Sequence, residues 1–402
     1  MNKEINLLGP LTANRLYRFF QSYGYCVLYI LWFLMEIIIN CSTAGQQVPH
    51  SVYISIQRIL KYALILYIII FQQYSLREIL IIFSVSVLFY YSARLSHFHE
   101  LFYTWLLIVG MKKTDFDKIV LFSLWILGIC IPVYCILCKI GIFPDAGVYR
   151  GDQFRTALGF IHPNSFGVRA FIFSSCWFYT RRNKLMVADY IFIVFLALFA
   201  WFVPNSRTSS LCMILLSVLL YLYSKPSFCS SQFCSVINHL LIVCAVIINI
   251  GTVLLSLFYN EGNAILLFID KVLSGRLSIA NQLYHEFSIT LLGQQIYVNM
   301  SERIYAGLGT VAINFDNSYM RILLHWGIIV YAVVSAFVIW GLLYEKRRKN
   351  PTLFLILFMV LVYSFSEKIL YQGTYCVFIL ALSDLLYGKL PKEKPIQPSQ
   401  AL

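Results

Sequence analysis

Apolar runs long enough for a helix to cross a bilayer recur along this sequence from about residue 23 to residue 387. No polar stretch between them is long enough to fold as a separate domain. Only helices and closed barrels satisfy their backbone hydrogen bonds in lipid, and these runs have helical length rather than strand length. The chain is therefore expected to be an all-α polytopic membrane protein of about 12 transmembrane helices. Of its 402 residues 60% are hydrophobic and 12% charged, about half the charged share of an ordinary soluble domain. The spans are expected near 23–41, 53–71, 79–93, 98–111, 119–139, 165–180, 189–204, 208–223, 237–258, 318–344, 352–366 and 373–387. The first is not a cleavable signal, because many more follow it.

A formal charge of +13 raises nucleic acid as a partner, but the placement of the charge excludes it. When sides are assigned alternately, 18 of the 31 Lys and Arg fall in short segments on one side. These are Lys3, Arg15 and Arg18; Arg77; Lys112, Lys113 and Lys118; Arg181, Arg182 and Lys184; Lys225; Lys346 to Lys349; and Lys389, Lys392 and Lys394. That is the cytoplasmic bias of membrane proteins, so the N- and C-termini are expected to be cytoplasmic. Two large extracytoplasmic loops, about 140–164 and 259–317, then fall outside. Residues 1–387 read as a single integral membrane domain and 388–402 as a disordered cytoplasmic tail.

Several features read as structure rather than chemistry. Most of the eleven cysteines, Cys135 and Cys138 of a CxxC included, lie within apolar runs, where a free thiol packs as a small hydrophobe. Glu36 is expected to pair with Arg58 or Lys61 across two helices. His97 and His99 lack further ligands, and no metal is expected. Asp115-Phe116-Asp117 resembles a nucleotide-sugar DxD but sits in a short turn with no domain to hold a nucleotide. There is no Walker loop, and no cofactor is expected.

The cations on the disfavoured side carry the functional argument. Arg150, Arg155, Arg207 and Arg276 sit outside or at the outer face, where an anionic ligand is a natural partner. Arg155 leads into GFIHPNSFG, in which Pro163 starts a helix crowded by His162, Asn164 and Ser165. A helix N-terminus beside arginines suits an anion. Arg207 lies in the turn Pro204-Asn205-Ser206-Arg207-Thr208, and Ser274-Gly275-Arg276-Leu277 begins a helix in the long outer segment. That segment carries amphipathic stretches, Ala264 to Phe268 and Leu283 to Leu292, suited to the outer membrane surface. It ends in Asp316-Asn317-Ser318-Tyr319. Asp316 is the carboxylate placed to take a proton from an attacking hydroxyl, with His285, Glu286 and Glu302 as rival bases.

These motifs, in this order over about 150–330 and closing on Gly327-Ile328-Ile329, resemble those of Wzy-type O-antigen and capsular polysaccharide polymerases of the O-antigen polymerase/ligase superfamily. The resemblance implies a GT-C-like glycosyltransferase of the bacterial plasma membrane, acting at the outer face. Its donor and acceptor would both be undecaprenyl-pyrophosphate-linked oligosaccharide repeat units, joined into capsule, exopolysaccharide or O-antigen. It also implies a chain-length regulator and a flippase as partners, alongside membrane lipid. On this reading Arg155, Arg207 and Arg276 stabilise the leaving pyrophosphate and Asp316 acts as base. Arg150, His162, Asn164, Asn317, Tyr319 and His285 bind substrate. Two departures stand out. Related ligases carry His-Asn where this chain has Asp316-Asn317. The glycines following Arg150 and Arg276, Gly167 and Gly293, lie one residue beyond the family's paired-arginine spacing. A ligase acting on another acceptor and a lipid-linked oligosaccharide flippase remain open as alternatives.

Overall fold

A computed structural model describes residues 15–229, 232–308, 313 and 315–388. The expected tail and the basic Lys3 lie outside the described residues. In chain order the helices are α1 (Arg15–Met35, continued by a wider turn over Glu36–Asn40), α2 (His50–Phe71), α3 (Leu76–Ser96), α4 (Glu100–Gly110) and α5 (Phe116–Lys139). After a hairpin of β1 (Val148–Arg150) and β2 (Gln153–Arg155) come α6 (Pro163–Thr180), α7 (Val187–Phe202), α8 (Arg207–Tyr223), α9 (Pro226–Cys229) and α10 (Gln232–Leu257). The second long segment holds α11 (Ala264–Val272), α12 (Arg276–Phe287) and α13 (Met300–Tyr305). The chain closes with α14 (Ser318–Arg347), α15 (Pro351–Ser364), a 3₁₀ turn (Val377–Leu382) and α16 (Ser383–Tyr387).

Six of these helices, α1 with its extension, α2, α3, α5, α10 and α14, are long and apolar enough to cross a membrane. The side-chain distribution agrees with a lipid surround. Ile59, Phe83, Phe195 and Phe202 are each about two-thirds exposed or more, while Arg169, Ser174, Ser209 and Ser210 are fully buried. Monomers in water rarely show such apolar faces. Helix starts follow from local chemistry. Ser75 and Glu78 form a reciprocal capping box on α3. Asp115 accepts from the Asp117 amide at the head of α5. Asp117 is spent on Arg182 and Tyr179.

Four expectations need correction. The fold is not all-α: within the first long connecting segment Gly151 and Asp152 turn a two-stranded hairpin, with Gly151 at positive φ. The last expected span, 373–387, is helical only from Val377, because residues 365–376 fold back into the bundle as turns. The Leu283–Leu292 stretch straddles the end of α12, where Ser288 takes φ +54°. Beyond it, residues 290–294 enter the bundle. Finally, Glu36 makes no ion pair with Arg58 or Lys61. It is buried and accepts from Asn40 and Tyr53, each at 2.9 Å. Lys61 instead lies over the Tyr62 ring.

The entry of 290–294 has a clear cause. Gly327 sits inside α14 at φ 87°, ψ 170°, which breaks the helix and frees backbone groups that must find other partners. The loop supplies them: Ile328 N donates to Thr290 O and Gln294 N to His325 O, both at 3.0 Å, and Ile329 N to Leu291 O at 3.2 Å. A Cβ on Gly327 would lie 2.5 Å from Leu291 O, and one on Gly293 would lie 2.3 Å from His325 O. Two glycines thus let two backbones touch. Nearby, Asn281 donates to the Ser256 and Leu257 carbonyls and ties α12 to the end of α10.

Candidate active site at one end of the bundle

The hairpin register is the first element of the site. Arg150 pairs with Gln153 and Val148 with Arg155. Directly paired residues share a face and alternate residues along a strand do too, so Arg150 and Arg155 project from the same face. Tyr149 and Phe154 take the other and pack edge to face. Asp145 anchors the hairpin base by accepting from the Ala157 amide at 2.7 Å and from the Thr156 hydroxyl.

Arg155 is only 3% exposed. Its Nε donates to Pro204 O at 3.1 Å and its Nη2 to Asn164 Oδ1 at 2.7 Å. Asn164 in turn donates through Nδ2 to Glu367 Oε1 at 3.0 Å. Arg276 reaches the same oxygen, with Nη2 at 3.6 Å, while its Nε donates to Ser366 O and its Nη1 to Leu273 O. Beside Glu367, Lys368 Nζ lies 3.5 Å from Asp316 Oδ1. Ser318 Oγ donates to Glu367 O at 2.5 Å and accepts from the Leu370 amide, which binds the 365–376 turns to the head of α14.

Five elements distant in sequence thus converge: the hairpin, the heads of α6, α12 and α14, and the turns after α15. At the three helix heads local chemistry sets the side chains. His162 caps α6, its Nδ1 accepting from the Asn164 amide at 3.1 Å, with Pro163 in the first turn. That frees the Asn164 side chain to bridge Arg155 and Glu367. Gly275, at φ 77°, turns the chain into α12 and aims Arg276. Asp270 secures that turn by accepting from the Leu277 and Ser278 amides.

The electrostatics are those of an incompletely neutralised cationic site. Burial, then the charges of Arg207 and Arg276, lower the Arg150 pKa. Burial and the charges of Arg150, Arg207 and Arg276, opposed by Glu367, bring Arg155 down to about 10. The four arginines therefore feel one another. With Lys368 they set five cations against two carboxylates. Burial, with Asp316 adding to it and Arg276 and Lys368 opposing, holds the Glu367 carboxyl well above the usual range. His162 is pushed down by burial, against the pull of Asp316, and stays a neutral acceptor.

Not every expected residue joins this hydrogen-bonded cluster. Arg207 is exposed, its Nε donating to Asn205 Oδ1 at 2.9 Å, and Asn205 donates to Gln153 on the hairpin. Asn317 caps α14 through Oδ1 and leaves its buried Nδ2 without a partner among the described residues. Tyr319 is fully buried, its hydroxyl donating to Leu361 O at 2.6 Å, so it packs rather than faces the site. His285 is exposed and touches the Tyr284 ring. Glu286 is held by Arg303 in two contacts of 2.8 and 3.0 Å, which keeps its carboxyl below the ordinary range. The side chain of Glu302 lies outside the described residues.

The residue that sequence reasoning missed is Glu367. Glu367-Lys368 is an acid-base pair between two apolar segments, a visible signal in the short stretch between the last two expected spans. Also missed were Arg169, fully buried with its guanidinium 3.9 Å over the Tyr375 ring, and Arg321, which donates to Phe315 O at 2.8 Å over the Phe98 ring. Both hold bundle segments together beneath the site. Among the described residues no group of His, Cys, Asp and Glu is arranged to hold a metal ion. No protein-family model, curated protein or solved structure matches this chain significantly.

Proposed function

We propose that this protein is a lipid-pyrophosphate-dependent glycosyltransferase that joins undecaprenyl-pyrophosphate-linked repeat units into a surface polysaccharide. On this reading twelve segments cross the bacterial plasma membrane, both termini are cytoplasmic, and the site faces outside. The observation that carries it is the convergence of Arg155 and Arg276, through Asn164, on Glu367. A pyrophosphate leaving group needs fixed cations where its charge develops. An acceptor hydroxyl needs a base close by, with a pKa near the working pH.

Glu367 meets the second need better than Asp316. Its described contacts fall on Oε1, while Asp316 is engaged with Lys368. In the proposed step Glu367 takes the proton of the acceptor hydroxyl and the oxygen bonds to the donor's anomeric carbon. The bond from that carbon to the pyrophosphate breaks, and the leaving group's charge falls to Arg155, Arg276, Arg150 and Arg207. The leaving group is already activated, so neither nucleotide nor metal enters the scheme.

The test is reconstitution of purified protein with synthetic undecaprenyl-pyrophosphate repeat units, without nucleotide, and separation of products on a gel. A ladder that falls by about 10²–10³ in Arg276→Ala supports the reading. Glycan transferred only to a different added acceptor makes the protein a ligase. Repeat units crossing the bilayer without product make it a transporter.

A further inference from the structure

Away from this site, a cavity of about 590 Å³ opens between α3, α4, α14 and the C-terminal turns. Its walls are apolar, among them Val85, Phe89, Trp105, Val333, Phe337 and Leu386. Toward the end that holds Glu367 it stops at Leu101, Thr104 and Leu370. Thr104 is occupied there, donating to Tyr371 O and accepting from the Gly373 amide. The charged lining residues, Arg77, Glu78 and Arg347, gather at the opposite mouth. From Arg347 back to Val333 α14 rises about 21 Å, somewhat more than the roughly 15 Å of one leaflet's hydrocarbon.

The mouth is cationic. Glu78 is neutralised by Lys112 at 2.7 Å, whereas Arg77 and Arg347 are exposed and pair with no carboxylate among the described residues. The hydroxyl of Tyr344, a residue only 8% exposed, also lines this mouth and has no partner among the described residues. Arg347 belongs to the basic run Lys346 to Lys349, and Lys389, Lys392 and Lys394 follow Gly388 in sequence. Basic clusters beside a membrane helix attract anionic lipid.

We propose that this slot binds an anionic glycerophospholipid, its phosphate between Arg77 and Arg347 and one acyl chain between α3 and α14. A slot polar at one end and closed by apolar side chains at the other fits an amphiphile entering from the arginine side. Water against its walls would be unfavourable. The two arginines select negative headgroups, since a zwitterionic lipid adds an ammonium that they repel. This inference concerns the face opposite the glycosyl-transfer site and does not depend on that activity.

The test is native mass spectrometry of the full chain in neutral detergent with equal amounts of phosphatidylglycerol and phosphatidylcholine. Retention of phosphatidylglycerol about tenfold over phosphatidylcholine is expected. The preference should vanish in Arg77→Gln/Arg347→Gln and persist in Lys184→Gln/Lys225→Gln, and slot-filling Val85→Phe should lower phosphatidylglycerol retention. Equal retention of the two lipids by the unaltered protein would overturn the proposal, whatever the variants do. So would equal losses in both basic pairs, which mark general surface attraction. With polyprenyl phosphate added as a third lipid, its loss rather than that of phosphatidylglycerol in Val85→Phe would make a polyprenyl carrier the occupant and overturn it too.

Discussion

Glu367 illustrates how much one position owes to its neighbours. A carboxyl in water would be ionised at neutral pH, but here burial and Asp316 favour the protonated form while Arg276 and Lys368 favour the charge. The native state therefore binds this proton more tightly than the unfolded chain does. The contribution of Glu367 to stability is full below the ordinary carboxylate range and is lost as pH rises through its raised pKa. Activity runs the opposite way, because a base must be unprotonated. The rate of polymerisation should climb with pH along a limb displaced above the usual carboxylate range, and Glu367→Gln should abolish both limb and activity. A pH profile unchanged in that variant would return the base role to Asp316. Asn164 is testable separately. Asn164→Ala leaves the Arg155 and Glu367 groups it bridges without their shared partner, at a cost of about 1–3 kcal/mol. Thermal melting in detergent should show this loss alongside reduced turnover.

At the scale of elements, the informative one is α14. Its sequence reads as a single long apolar helix from Ser318, yet it breaks at Gly327 and accepts residues 290–294 into the gap. Replacement by alanine forces a side chain into a conformation that only glycine adopts readily and drives Cβ against Leu291 O. Gly327→Ala should destabilise the fold by about 3 kcal/mol, read as a lowered melting midpoint, and should free the 259–317 segment to proteolysis. A smaller case is Gly167 of α6, where a Cβ would sit 2.1 Å from Ser206 Oγ and 2.5 Å from Ser209 Oγ. That close approach holds α6 against α8, and with them Asn164 and Arg207.

The molecule as a whole is polarised. Its inward-assigned turns hold basic residues in short runs, while the other end gathers arginines around two carboxylates. If the charge bias sets orientation, a cysteine at Asp152, on the exposed hairpin tip, reacts with a membrane-impermeant maleimide from outside intact cells. A cysteine at Lys184 should react only once the membrane is opened. Labelling of both from one side would overturn the proposed topology and with it the outward-facing site.

How far all this is legible in the chain depends on the range of the interaction. Hydropathy and length are local sums, so membrane helices and their approximate limits follow from the residues themselves. So do the helix starts at Pro163, Arg276 and Ser318, because each is set by neighbours in sequence. The arginines stood out because positive charge in segments assigned to the disfavoured side is a local anomaly. What the sequence alone could not decide is which groups meet. Arg155 and Glu367 are separated by more than two hundred residues, and only packing of α6, α12, α14 and α15 brings them through Asn164 to one oxygen. The Glu36 pairing failed for a shorter-range reason: formal charge suggested Arg58 or Lys61, but Asn40, one turn on, and Tyr53 completed its hydrogen bonds. Local chemistry determined the segments, and three-dimensional proximity decided the site.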